Sequence, residues 1–446
     1  MPLVPAALES AVSNLWSLRP LDPNALFKAP AFAHLRTVCQ ESYANTGWEQ
    51  TLNFALLYAL HSLGLPCLQS PLSKPSCSLP EATRALDRAF RSETVTWTHL
   101  CPLDLASDLP PLRFGPVELR RFSSDELGRL FGWEQLLIHY PSGLPDLGDL
   151  AQFQWLVVSE TRPTESTAGA RALPAMETLL STPDPARIDP HTSRLPAVIE
   201  RALFFLLLAP WEDWAEMLSI DWRGFTLPWV YSRSDDLFVQ PPFPRSAHTL
   251  NWEPHFATNR HGEEIEWEAP VALPLRDAVS QLPNMLCEKA WADLQAALRS
   301  PLFETPVTHF LVRAYLADGI DEFLAHLTTL EAALGTQRDY PPRPKADPHK
   351  HLRGATQRMA VRVSSLLGSP EHGTMYSRLF DLRSAFLHGR PVQPISVEDR
   401  VSARRLARRV ALELIEVAGS SEIGSREDWL DTLLAKGKRP VNPSAN

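Results

Sequence analysis

The chain has 446 residues, enough for two or three domains with cores of their own, and its 44% hydrophobic and 21% charged residues exclude a disordered or membrane-embedded class. Its five cysteines, Cys39, Cys67, Cys77, Cys101 and Cys287, show no CxxC and no paired spacing, which argues against a disulfide framework or a zinc site and for reduced thiols. The net charge of −9 hides an asymmetry: from Gln337 onward 19 basic and 12 acidic residues give +7, whereas the 24 basic and 40 acidic residues before it give −16.

A basic end on an acidic body fits a local polyanion site. The start Met1-Pro2-Leu3-Val4-Pro5 lacks the basic region of a signal peptide, and the longest apolar run, Ala202 to Pro210, is too short to span a bilayer. A cytoplasmic protein without a membrane partner is expected. The 41 prolines call for many loops and short elements.

Residues 1–92 read as mostly helical. Trp48, Leu52, Ala55, Leu56 and Ala59 recur at helical spacing, and Gly64-Leu65-Pro66 stops that helix. Leu68 to Pro80 reads as a loop, and a short helix follows over Glu81 to Phe90. Residues 93–285 read as a mixed, Trp-rich domain, a candidate sensor or regulatory part. Strands are expected at Val95 and Trp97, over Val117 to Arg121 and over Phe153 to Val158. Ser123 with Glu126 three residues on makes a capping box that opens a short helix. Pro163 to Asp189 reads as partly loop, Pro196 to Leu208 as a buried helix, and Trp-containing strands and turns follow from Trp211 to about Trp267. The 13 tryptophans are expected to anchor cores and domain interfaces rather than to stack bases. His248, His255 and His261 lie in one stretch, but without a Cys or HExxH partner they read as surface residues. No repeat, Gly-rich phosphate loop or Walker pattern is present, so neither metal nor cofactor is expected.

Residues 286–440 read as an all-α bundle, which makes the whole chain α+β. Helices are expected over Leu286–Leu298, Val307–Leu316, Ile320–Leu334, His349–Leu367, Gly373–His388, Ser396–Val417 and Arg426–Leu434, with a Pro-rich loop from Tyr340 to Pro348. Ser396 and Asp399 cap the long helix. That helix carries Arg400, Arg404 and Arg408 at i, i+4 and i+8, with Arg405 and Arg409 beside them. Such a row is either a basic face balanced by neighbouring acids or a ridge that tracks phosphates.

The densest chemical signal runs from Leu379 to Gly389. Met375, Leu379, Leu382 and Phe386 form a helical stripe expected to face a core, and Ser377, Asp381, Ser384 and His388 form a polar stripe. Arg383 beside Ser384 brings a phosphate-binding fork towards the His388 edge, and a histidine moves protons near neutral pH. Gly389 and Pro391 end the helix. The plainer reading is a helix stop at His388-Gly389, favoured by the helix dipole, with Arg383 paired to a nearby acid such as Asp381. Tyr376, Phe380 and Leu387 make a second apolar edge, the candidate for part of a dimer contact.

Three motifs fall in order here. They are Leu330-Glu331-Ala332-Ala333-Leu334-Gly335, then Arg358 through Leu366-Leu367-Gly368, then Asp381-Leu382-Arg383-Ser384 through His388-Gly389. Together they resemble the Apea-like branch of the HEPN superfamily over roughly residues 285–440. Phe380 or Tyr376 takes the place of the aromatic that the family carries a few residues before its Arg. Upstream, Val117 to Ser123 with Asp125-Glu126 looks like a segment found ahead of Apea-like domains.

The resemblance implies a metal-independent endoribonuclease of bacterial anti-phage defence or toxin-like growth arrest, acting on RNA, with tRNA among the candidates. It implies a homodimer in which two Arg–His pairs form one composite site. His388 is then the general acid or base at the 2′-hydroxyl or leaving oxygen, Arg383 stabilises the phosphorane, and Ser384 positions one or the other. Glu331, Tyr376 and Asp381 are supporting residues. The alternative is a non-catalytic HEPN module for dimerisation or RNA binding.

Overall fold

The computed structural model describes residues 5–19, 21–43, 49–68, 77–164, 166–167, 170–174, 195–216, 223–258, 260–339, 352, 354–390 and 394–437. Within them the chain is α+β: helices combine with small antiparallel sheets, and the C-terminal region is helical. Two compact units share the chain, and each draws on three separated stretches. The first comprises residues 1–102, 121–188 and 227–270; the second comprises 103–120, 189–226 and 271–446. None of the five cysteines forms a disulfide. Among the described residues no helix is long and apolar enough to cross a membrane.

The first unit begins with helices Ala6–Trp16, Pro23–Lys28, Pro30–Ser42, Glu49–Ser62 and Leu79–Arg91. The helical spacing of Leu52, Ala55, Leu56 and Ala59 has its cause in burial: all four sit fully inside one core with Leu8, Leu15, Phe32 and Phe90. Trp48 and most of the Leu68–Pro80 loop lie outside the described residues, as does most of Pro163–Asp189. Strand Thr94–Leu103 pairs antiparallel with Tyr231–Ser234, His99 opposite Ser232, and has Gln154–Pro163 on its other side. The expected strand at Phe153–Val158 is therefore present and runs on to Pro163. Short helices Ser124–Phe131 and Trp133–His139 follow. The Ser123 hydroxyl accepts from Glu126 N–H, and the Glu126 carboxylate accepts from Ser123 N–H at 2.8 Å. Such a cap contributes about 1 kcal/mol. Strands Trp252–Thr258 and Glu264–Pro270 form a separate antiparallel hairpin.

The second unit contains the hairpin Leu112–Phe114 with Val117–Arg121, and the buried helix Ala197–Leu206. In its core Phe205 packs edge to face on both Phe114 and Trp291, which tilt against each other. Its helical region comprises α1 (Glu288–Ala297), α2 (Val307–Leu316), α3 (Gly319–Leu334), α4 (Ala355–Leu366), α5 (Pro370–Leu387), α6 (Val397–Ser420) and α7 (Arg426–Lys436). The Tyr340–Pro348 loop and the first residues of the expected His349–Leu367 helix lie outside the described residues. Helix α3 packs on α2 and α6, and α4 packs on α5 and α7. Ser396 accepts from Asp399 N–H at the start of α6, closing the expected cap.

Candidate active site

Helix α5 carries the Arg–His pair at its C-terminal end. Arg390 N–H reaches back to Ala385 C=O at 2.9 Å, and Gly389 N–H to Phe386 C=O at 3.2 Å. Gly389 holds φ at +63°, the left-handed conformation that ends a helix and disfavours side chains with a Cβ. His388 is the capping residue, and its side chain is exposed. Pro391 lies outside the described residues.

Arg383 points the other way. Its Nη1 lies 3.1 Å from Glu331 Oε1 on α3, and its guanidinium sits 5.6 Å from the centre of the Phe380 ring. Burial pushes the Glu331 carboxyl above its usual range, and the Arg383 charge pulls it partly back. Glu331, Tyr376, Phe380 and Arg383 line one cavity of about 400 Å³. Ser384, Asp381 and His388 are not among its lining residues. Five residues along a helix correspond to roughly 140° of net rotation and about 7.5 Å of rise, which separates the Arg383 and His388 directions. The expected single edge of Arg383, Ser384 and His388 is thus divided: Arg383 belongs to the cavity, and His388 to the exposed helix end.

Arg426 on α7 also lines the cavity, and nothing in its sequence neighbourhood pointed there. It is buried, and its Nη2 donates to the carbonyls of Ala332, Ala333 and Gly335, the open C-terminal end of α3. Among the described residues its Nε has no hydrogen-bond partner. Arg362 grips Asp339 with two bonds, at 2.5 Å and 3.1 Å, and Arg358 donates to the Asp339 carbonyl, so the cavity wall is braced by buried charge. The i,i+4 spacing of Arg358 and Arg362 was the one available clue to this pairing.

Each apolar edge of α5 departs from the expectation at one residue. Tyr376, expected at a dimer contact, is 1% exposed and packs within the unit beside Phe380. Phe386, expected in the core, is 45% exposed, next to Leu387 at 53%. The inward stripe holds at Leu379, which is fully buried, and weakens towards the helix end. Phe386 joins Ile320, Phe323, Pro394, Ile395 and Arg400 around an apolar hollow of about 440 Å³.

The arginines of α6 do not form a free ridge. Arg404 is buried and clasps Glu322. Burial alone would raise the Glu322 pKa, but the neighbouring His326 and the bonds from Arg404 bring it down to about 2. Arg408 Nη2 donates to Glu212 at 2.6 Å, and Arg405 is paired with Asp213. Arg409 meets His372 Nε2 at 2.7 Å. Arg404 therefore leaves the proposed RNA-binding set as a core residue, while Arg405, Arg408 and Arg409 already have partners.

Among the described residues no group of three or more His, Cys, Asp or Glu side chains is arranged to hold a metal ion. No family model matches the chain, and neither a curated protein nor a solved structure matches it.

Proposed function

We propose that the protein is a metal-independent endoribonuclease of the HEPN type, acting as a homodimer in bacterial anti-phage defence or growth arrest. The observation that carries this reading is the Arg383–His388 pair at the end of α5: an exposed histidine about one and a half turns beyond an arginine that borders an open cavity. His388 takes the proton from a 2′-hydroxyl, which turns that oxygen on the adjacent phosphorus. The bond from phosphorus to the 5′-oxygen breaks, that oxygen takes a proton from water or from a protonated His388, and a 2′,3′-cyclic phosphate remains. Arg383 neutralises the charge that builds on the phosphorane. DNA lacks the attacking hydroxyl and is not cut. A single pair offers few donors, so two α5 ends meeting across a two-fold axis form the working site, with exposed Phe386 and Leu387 in the contact.

The second reading, a non-catalytic module for dimerisation or RNA binding, is favoured by one observation: Arg383 is engaged by Glu331 and turned from His388. Incubating purified protein with cellular RNA, beside His388→Ala, decides between them. Cleavage lost in the variant supports the nuclease. Absence of cleavage by the wild type, with RNA binding retained, supports the module.

A further inference from the structure

A second site lies in the first unit, far in sequence from α5. A cavity of about 600 Å³ opens where helix Ser124–Phe131 turns into Trp133–His139. Small-molecule sites usually span ~300–1,000 Å³. The turn is made by Gly132, with φ at +70°. A Cβ there would fall 2.3 Å from Arg233 Nη1, so the bare backbone is what lets the guanidinium lie against it.

Arg233 comes from strand Tyr231–Ser234, and its Nη1 donates to the carbonyls of Arg129 and Leu130 at 3.3 Å and 3.2 Å. These carbonyls end the helix Ser124–Phe131, and Arg129 C=O also accepts from Gly132 N–H at 3.2 Å. Among the described residues neither Arg233 nor Arg129 forms an ion pair, and both line the cavity. Burial pushes the Arg233 pKa down, and the nearby Tyr231 and Asp235 offset that only in part. An anion entering the cavity would relieve the remaining cost of holding this cation partly out of water. Trp133 lines the same cavity and is half-buried, which supplies an aromatic surface for a planar ring. Gln135 spends its amide N–H on Ser62 at 3.1 Å and keeps its carbonyl oxygen for a further donor. Asp125 and Glu134 are exposed lining residues that offset part of the positive charge of the two arginines, so a single phosphate suits the site better than a triphosphate.

We propose that this cavity binds a nucleoside monophosphate, with the phosphate between Arg129 and Arg233 and the base against Trp133. The site is independent of the RNA-cleavage reading. Isothermal titration of the full-length protein with AMP, GMP, CMP, UMP, the four matching nucleosides, ATP and inorganic phosphate tests it. At least one monophosphate is expected to bind about tenfold or more tighter than inorganic phosphate, the matching nucleoside and ATP, a difference of about 1.4 kcal/mol. Arg129→Gln, at an exposed position that does not hold the fold, should weaken that binding about tenfold. Trp133→Leu should remove the preference over inorganic phosphate, and His388→Ala should leave binding unchanged. If no monophosphate outcompetes inorganic phosphate, or if Arg129→Gln and a folded Arg233→Gln both bind as wild type does, the proposal is overturned.

Discussion

Arg383 Nη1 and Glu331 Oε1 lie 3.1 Å apart, and that ion pair joins α5 to α3 at the wall of the candidate active-site cavity. It holds the arginine that the proposed chemistry needs, at an acid already pushed towards its neutral form by burial. Both side chains are about a quarter exposed, so the pair is neither fully desolvated nor freely hydrated.

Replacing Glu331 by Gln should cost little stability. The folded-state pKa of Glu331 is raised, so its protonated form is favoured by folding. Its contribution is therefore present at low pH and declines as pH rises from the ordinary glutamate range through the folded value. Glu331→Gln cannot ionise, so its melting temperature at pH 8 should equal or exceed that of the wild type. A fall of many degrees would mean that the ion pair outweighs the desolvation of the carboxylate.

His388→Ala should reduce RNA cleavage by at least ~100-fold while leaving the melting temperature unchanged, because the side chain is exposed and acts only in the transition state. Arg383→Ala should do the same to cleavage but lower stability slightly, since Glu331 loses its partner. Cleavage rates measured under single-turnover conditions check both. Residual wild-type activity in either would remove the assignment.

Arg404 and Glu322 are a structural pair. Arg404→Ala leaves a buried carboxylate uncompensated and should cost about 3–5 kcal/mol in denaturant unfolding. Glu322 has a folded pKa of about 2 against an ordinary 4.5. Its stabilisation is complete above the ordinary value and is lost as pH falls through about 2. The acid-unfolding curve should therefore flatten below pH 4.5 in Glu322→Gln, and an unchanged curve would assign the acid sensitivity elsewhere.

Charge removal on α6 should separate ion-pair partners from phosphate ligands. Arg400→Gln combined with Arg409→Gln should weaken RNA binding and lower the salt-dependence slope by roughly 0.7–0.9 for each phosphate no longer neutralised. The Arg405→Gln and Arg408→Gln changes break pairs with Asp213 and Glu212 and should show mainly as reduced stability. Titrations at several salt concentrations read the difference. An unaltered slope in the first double variant would leave that face a structural role alone.

Phe386→Asp should convert a dimer into a monomer. The ring is 45% exposed beside Leu387, so the change leaves the core of the unit untouched. Sedimentation velocity should show the shift, accompanied by loss of cleavage. A variant that remains dimeric and active would place the contact elsewhere.

Local chemistry was legible in the amino-acid order because its causes span only a few residues. Strand Val117–Arg121 and helix Val307–Leu316 begin and end where propensity and spacing put them. The caps at Ser123 with Glu126 and Ser396 with Asp399, and the stop at Gly389, are interactions within three or four positions. Arg383 stood out by its spacing to His388, whereas Glu331 and Tyr376 were named as site residues only through the family resemblance.

What these residues face was decided by tertiary packing. Arginines at i, i+4 and i+8 read alike whether they look onto water or into a core; Arg404 meets Glu322 from 82 positions away, and Arg408 meets Glu212 from 196. Tyr376 went inward and Phe386 outward because a helix end projects beyond the neighbours that cover its middle. Arg426 entered the cavity from the last helix, where nothing nearby in sequence marks it. Periodicity shows that a helix has two faces, but which face is buried depends on segments that approach only after the chain has folded.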